Sequence, residues 1–257
     1  MSFFDAIVLG IIQGLTEFLP VSSSGHLVLA EHLFNVKMPG VTFEVLIHLG
    51  TLVSVLIYFR EKLYRLVKAL FTKEMVAERR IIFLLIIGTI PAGLAGVLLR
   101  DWFEKTFSNP IETSIELIIT GLILLVPRFF KAGTKAVTAG TSLIMGVGQA
   151  IAILPGISRS GTTIVSGMLA GVKPSEAAEF SFLLSIPAIG GAILLEVGSL
   201  LDIPSTLVAP YALSTFVSFL FGLISVYVVL ATVKKGKFDY FAYYCFAIGA
   251  FGLYHFL

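Results

Sequence analysis

Charge is scarce in this chain. Only 13% of its 257 residues are Asp, Glu, Lys or Arg, about half the share that a soluble domain carries, which excludes a water-exposed globule. Cysteine is scarcer still. Cys245 stands alone inside an apolar run, so an internal disulfide and a cysteine metal cluster are both excluded. Cys245 reads as a small apolar packing residue. The N-terminus has neither a basic region nor a small-residue cleavage site, so no cleaved signal peptide is expected. The HExxH, GxSxG and GxxxxGK[ST] patterns are absent, as is any nucleic-acid signature. These absences remove the common zinc-hydrolase, nucleophile-elbow and P-loop classes.

Apolar residues make up 57% of the chain, with 22 Phe and 24 Gly, and the mean hydropathy is +0.98. Several runs reach the ~17–25 residues that cross a bilayer as helix. Six spans are predicted, at about 43–59, 81–99, 111–127, 179–198, 209–232 and 240–256. Two further apolar stretches, 6–30 and 141–170, are interrupted by Ser, Gly and Pro at positions that also carry ionisable groups. Broken backbone at membrane depth is tolerated only inside protein or beside a water-filled cavity. Both stretches are therefore read as re-entrant helix–loop–helix hairpins.

Basic residues set the orientation. Fourteen of the eighteen fall in 60–80, 128–140, 171–178 and 233–239, which places those segments in the cytoplasm and both termini outside. The remainder are Lys37, Arg100 and Lys105 on the opposite side and Arg159 within the second hairpin. The basic segment 60–80 reads as a solvated cytoplasmic loop in contact with anionic lipid. A shift of 136 lays GIIQGLTEFLPVSSSGHLV (10–28) over GVGQAIAILPGISRSGTTI (146–164). With one inserted residue, FEVLIHLG (43–50) falls on FSFLLSIP (180–187). Three spans separate the hairpins, so the second copy is inverted, an architecture whose site lies where the breaks meet. The expected fold is an all-α polytopic membrane protein, an inverted-topology repeat of six transmembrane helices and two hairpins. It forms one membrane domain over 1–257, with halves of about 1–128 and 137–257.

The breaks concentrate chemistry. They hold Glu17, His26 and Arg159 with seven hydroxyls, Ser22, Ser23, Ser24, Ser158, Ser160, Thr162 and Thr163. Ionisable groups at such depth are functional candidates by default. The Arg159 fork fits phosphate oxygens in pairs, and helix N-termini after the breaks favour an anion. Arg159 also fits a plainer role, as an ion pair with Glu17 that holds the hairpins together and opens when phosphate binds. A serine beside His26 or Glu17 has a base within reach, while Ser22 or Ser24 also suits an N-cap. His26 fits equally a buried histidine bonded to backbone. Gln13, one turn before Glu17, orients the carboxylate, receives a ligand or makes an interhelical contact. His48, about one and a half turns into its span, is a candidate cavity-lining residue. His32 and His255 look peripheral. Glu44, Glu112, Glu116, Glu179 and Glu196 suit span ends.

At these two breaks the sequence resembles the undecaprenyl-diphosphate phosphatase family of the bacitracin-resistance type. Gln13-Gly14-Leu15-Thr16-Glu17, running on to Ser22-Ser23-Ser24-Gly25-His26, matches its first motif. Pro155-Gly156-Ile157-Ser158-Arg159-Ser160-Gly161-Thr162-Thr163 matches its second. The order of motifs and spans fits over essentially the full length.

The resemblance implies hydrolysis of undecaprenyl diphosphate to undecaprenyl phosphate and phosphate at a site facing the outer side of a bacterial plasma membrane. It implies a catalytic core of Glu17, Ser23, His26 and Arg159, with Ser158, Ser160 and Thr163 touching phosphate. Ser22, Ser24, Thr162 and Gln13 complete the expected substrate contacts. It also implies a divalent cation, Mg²⁺ or Ca²⁺, on Glu17. Many members carry Glu where this chain has Gln13, which leaves one carboxylate fewer for a metal. The expected partners are a polyprenyl diphosphate and bilayer lipid, with a homodimer left open. The nucleophile is Ser23, His26 or water. The rival class is a polyprenyl-phosphate transporter or flippase, which needs the anion cage but no nucleophile. A structural scaffold leaves the buried charges without a purpose.

Overall fold

The computed structural model describes residues 1–34, 41–98, 109–154, 156–198 and 203–257. Lys37, Arg100, Lys105 and Pro155, each used in the sequence argument, lie outside these residues. The described chain forms α1 (Phe3–Phe18), α2 (Ser23–Phe34), α3 (Val41–Tyr58), α4 (Arg60–Phe71), α5 (Val76–Leu98) and α6 (Pro110–Leu125). There follow α7 (Ala139–Ile151), α8 (Arg159–Leu169), α9 (Pro174–Leu195), α10 (Ser205–Lys234) and α11 (Tyr240–Phe256). Local chemistry fixes several helix starts. Ser2 and Asp5 form a capping box on α1, as do Thr138 and Thr141 on α7. Asn109 caps α6 ahead of Pro110, and proline suits a first helical position because its missing N–H is not needed there.

Among the described residues, four helices are long and apolar enough to cross a membrane: α5, α6 with its extension to Phe129, α9 and α10. The bent pair α3–α4 makes a fifth when counted as one span. Helix α11 has 17 residues, or about 26 Å at ~1.5 Å per residue. The outer faces are apolar, as lipid requires. Helix α5 buries Leu84 and Gly88 but exposes Phe83, Ile86, Ile90 and Leu94. The predicted spans are therefore helical, with ends shifted by a few residues.

Inside, small residues bring helices together, as is usual where lipid supplies no hydrophobic drive to association. Gly10 and Gly14 of α1 lie against the carbonyls of Ser214 and Ser218 in α10. Gly146 of α7, at the position that aligns with Gly10, lies against Gly88 of α5. Serine hydroxyls cross the same seams. Ser142 donates to Leu84 O at 2.6 Å, Ser218 to Ile47 O at 2.5 Å and Ser225 to Gly14 O at 2.9 Å. Between α6 and α11 the contacts repeat themselves. Gly121 faces Phe246 and the Ala242 carbonyl, while Gly249 faces Ile118 and the Ser114 carbonyl. Ser114, Ile118 and Gly121 map onto Ala242, Phe246 and Gly249 at one constant spacing, and the two helices run antiparallel.

One element departs from expectation. Residues 60–71, read above as part of a loop, form α4, which leaves α3 at 79°. A hydropathy reading passes over it because four of its twelve residues are basic and only Leu66 and Ala69 are buried.

A methyl group on Gly14 would stand 2.6 Å from Ser218 O and 2.7 Å from Phe221 Cβ, whereas one on Gly93 would meet open space. Gly14→Ala should therefore destabilise the protein by about 1–3 kcal/mol, read as a lower thermal midpoint in detergent. Gly93→Ala should leave the midpoint unchanged or raise it slightly.

Candidate active site

Both predicted breaks are present, between α1 and α2 and between α7 and α8. At the first, Ser22 adopts φ of 69°, a conformation uncommon outside glycine. Its hydrogen bonds account for the persistence of that strain. The Ser22 carbonyl accepts from His26 N at 3.2 Å and from His26 Nδ1 at 2.7 Å. Its hydroxyl accepts from Gly25 N at 3.2 Å and lies 3.3 Å from Ser24 Oγ. At the second break, Gly156 takes φ of 90°. Ser158 Oγ accepts from Gly161 N at 3.1 Å and lies 3.3 Å from Ser160 Oγ. The two caps are the same device at aligned positions.

The breaks also satisfy one another. Gly156 N donates to Ser24 Oγ at 3.5 Å, and Ser160 Oγ donates to Leu19 O at 3.2 Å. Thr120 of α6 donates to Gly156 O at 2.8 Å and accepts from Ser158 N at 3.1 Å. Gly25 approaches Gly156, and Gly161 approaches Pro20. Two helix N-termini are thereby fixed beside one another, with their positive dipole ends at the junction.

Glu17 is the hub. It is 7% exposed. Its Oε1 pairs with the Arg159 guanidinium. Its Oε2 accepts from Ser23 Oγ at 2.6 Å and from Gln13 Nε2 at 3.0 Å. His48 Nε2 lies 3.5 Å from the same oxygen. His48 Nδ1 is 2.7 Å from Glu44 O; a carbonyl only accepts, so Nδ1 carries hydrogen and Nε2 is left facing Glu17. Two polar atoms at this hub are buried and have no hydrogen-bond partner among the described residues: Arg159 Nη1, a donor, and Gln13 Oε1, an acceptor. Such orphans are rare in protein interiors, and here they flank the hydrogen bond from half-buried Ser23 to buried Glu17.

The structure thus brings Gln13, Glu17, Ser23 and Arg159 together. It places Ser22, Ser24, Ser158 and Ser160 in the frame that joins the breaks. His26 is turned elsewhere. Its Nε2 meets Tyr244 OH at 2.9 Å, and the two rings stack with centroids 5.5 Å apart. Because Nδ1–H is committed to Ser22 O, Nε2 of neutral His26 accepts a hydrogen bond from the Tyr244 hydroxyl. Thr163 donates to Arg159 O at 2.6 Å. Thr162 is buried, and its hydroxyl has no partner among the described residues.

Three contributors carried little or no sequence signal. Thr120 and Tyr244 lie in apolar spans where nothing marks which face they present. His48 is marked by the sequence as a candidate cavity-lining residue, but nothing there ties it to Glu17. Among the described residues no three His, Cys, Asp or Glu side chains converge on a metal-sized space.

The fold and the site define a class, a multi-pass helical membrane protein with a buried Glu17–Arg159 charge cluster between two broken helices. Comparison with known proteins makes the class specific. The family model described as bacitracin resistance protein BacA matches residues 6–251, and the chain belongs to that family. Among curated relatives, an undecaprenyl-diphosphatase of Syntrophotalea carbinolica is 43% identical, covering 97% of each chain. One of Carboxydothermus hydrogenoformans is 41% identical over 97% of this chain and 95% of its own. Undecaprenyl-diphosphatase 1 of Shouchella clausii is 39% identical over 96% of this chain and 94% of its own.

The cap on α8 has a measurable share in stability. Ser158→Ala removes the acceptor for Gly161 N and should cost about 1 kcal/mol, seen as a lower thermal midpoint of the purified protein.

Proposed function

We propose that this protein hydrolyses undecaprenyl diphosphate to undecaprenyl phosphate and inorganic phosphate, returning the lipid carrier to peptidoglycan synthesis. Its relatives bear that activity in their names. One observation carries the chemistry. A buried arginine nitrogen with no partner among the described residues belongs to a guanidinium whose paired carboxylate also holds the Ser23 hydroxyl at 2.6 Å. An anion cage alone would serve a carrier; a hydroxyl already bonded to a buried carboxylate is what a phosphoryl-transfer enzyme adds.

In this mechanism the diphosphate docks on Arg159 Nη1 and on the N–H groups that begin α2 and α8. The terminal phosphoryl group gains charge stabilisation from groups held in place beforehand. Glu17 Oε2 takes the Ser23 proton, and Ser23 Oγ bonds to the terminal phosphorus as the bridging oxygen leaves with undecaprenyl phosphate. Water then attacks the phosphoserine and frees inorganic phosphate. His48 Nε2, at 3.5 Å, is the next acceptor for the proton on Glu17. Glu17 thus takes the base role for which the sequence offered His26 equally, because His26 Nε2 is held by Tyr244. Direct attack by water activated on Glu17 is the competing route, and trapping of a phosphoserine separates the two.

A divalent cation fits the site only together with substrate. Glu17 supplies a carboxylate and Gln13 Oε1 an unpartnered oxygen, while Mg²⁺ commonly takes one or two carboxylates and completes its shell with substrate phosphate and water. Bound there, it would neutralise charge on the diphosphate.

The finer membrane arrangement has six spans and two re-entrant pairs that enter from opposite sides. The antiparallel match of α6 with α11 and the meeting of the two breaks support it. The basic residues favour a plasma-membrane orientation with the site open to the extracytoplasmic side.

Phosphate release from undecaprenyl diphosphate in detergent tests the reading, since micelles offer no second compartment to a carrier. The parent should turn over. Arg159→Ala should lose about 10²–10³-fold, and Ser23→Ala about 10³-fold or more. His48→Gln should lower kcat about ten- to a hundredfold with little change in KM. A well-folded parent that releases no phosphate, with or without Mg²⁺ or Ca²⁺, would overturn the enzyme assignment in favour of lipid-phosphate transport.

A further inference from the structure

Helix α4 is built unlike every span around it. It turns away from α3 at 79°, and its circumference divides into three arcs. Leu66 and Ala69 are buried where the helix packs on α5, and Lys62 is tied to Glu179 of α9 by an ion pair. A second arc carries Tyr64, Val67, Leu70 and Phe71, which are 68%, 57%, 58% and 85% exposed. The third carries Arg65 and Lys68 with Glu61, while Arg60 opens the helix in line with Tyr64, Val67 and Phe71, one turn before Tyr64. Across 60–80 seven basic residues stand against three acidic ones. An apolar arc beside a basic arc on a helix that lies across the bundle is the pattern of an in-plane interfacial helix.

The bend adds a recess of about 300 Å³, lined by Tyr58, Arg60, Lys62, Arg65 and Glu179 among others. At the exposed surface Arg60 Nη2 lies 3.8 Å from Glu61, and Nη1 donates to Ile57 O at 3.4 Å.

We propose that α4 is an anionic-lipid anchor, with its Tyr64–Val67–Phe71 stripe among the acyl chains and the Arg60–Arg65 recess holding a phospholipid headgroup phosphate. The occupant follows from charge and from place. A second copy of the chain would set basic arc against basic arc. A soluble partner would have to cover a stripe that continues from the end of an apolar span. A bilayer carrying negative lipid satisfies both arcs at once. The inference rests on the membrane character of the fold and not on the chemistry between the breaks, so either can fail without the other.

Two readouts on the full-length protein test it. A nitroxide on Val67→Cys, with Cys245 buried and out of reach, reports depth in vesicles containing phosphatidylglycerol. The expected result is more collision with oxygen than with a water-soluble nickel chelate, and the reverse for a label on Glu74→Cys. Nickel-dominated collision at position 67 would overturn the anchor.

Native mass spectrometry then counts phosphatidylglycerol against phosphatidylcholine retained on the purified protein. Arg60→Gln/Arg65→Gln/Lys68→Gln should lower that preference by about tenfold or more, and Glu61→Gln should raise it. Excess inorganic phosphate should leave the bound lipid in place. An unchanged preference in the triple variant, or displacement of the lipid by free phosphate, would overturn the headgroup assignment.

Discussion

The structure turns on one ion pair, Glu17 with Arg159, which joins the two broken helices at a buried point. A carboxylate or a guanidinium alone at that depth would carry a desolvation penalty of several kcal/mol; removing one partner would leave the other uncompensated. Each charge therefore demands the other, and the demand pins the end of α1 to the start of α8. Ser23, Gln13 and His48 gather on the carboxylate because Oε2 still has lone pairs to satisfy once Oε1 faces the guanidinium. Arg159 spends one nitrogen on the pair and keeps the other buried without a partner among the described residues. Under the proposed function, the contact that joins the two breaks is the one a diphosphate would compete for, so cohesion and binding would draw on the same two side chains.

That pair could not form if the backbone around it went unsatisfied. Each break interrupts helical hydrogen bonding, and a lapsed group in an apolar interior costs as much as a lost bond. The opposite half supplies the missing partners. Ser24 accepts from Gly156, Ser160 donates to Leu19, and Thr120 serves both Gly156 and Ser158. Such reach requires close backbones. Glycine at positions 10, 14, 25, 146 and 161 leaves room that a methyl group would fill.

Much of this is legible in the sequence. Apolar run length marks the spans, and clusters of Ser, Gly and Pro mark both breaks. The aligned stretches expose the repeat that later appears as matching caps at Ser22 and Ser158. Gln13 lies one helical turn from Glu17, so its contact with the carboxylate follows from spacing alone. The illegible parts share a cause. Helix α4 hides from hydropathy because its apolar and basic residues alternate and average out. His26 sits in the motif beside Ser23, yet Tyr244, 218 positions away, decides where its free nitrogen points. Thr120 looks like any hydroxyl in a span until the second break settles on it.

The sequence by itself determined the membrane character, the places where helices stop and restart and the set of groups available for chemistry. Those depend on composition and on periods of a few residues. Tertiary structure decided which of two bases meets Ser23, which arginine nitrogen stays free and how α4 lies against the bundle. Each of those answers depends on how one helix is rotated against a helix from distant sequence. A rotation of a few tens of degrees exchanges one hydrogen-bond partner for another while leaving every local pattern unchanged.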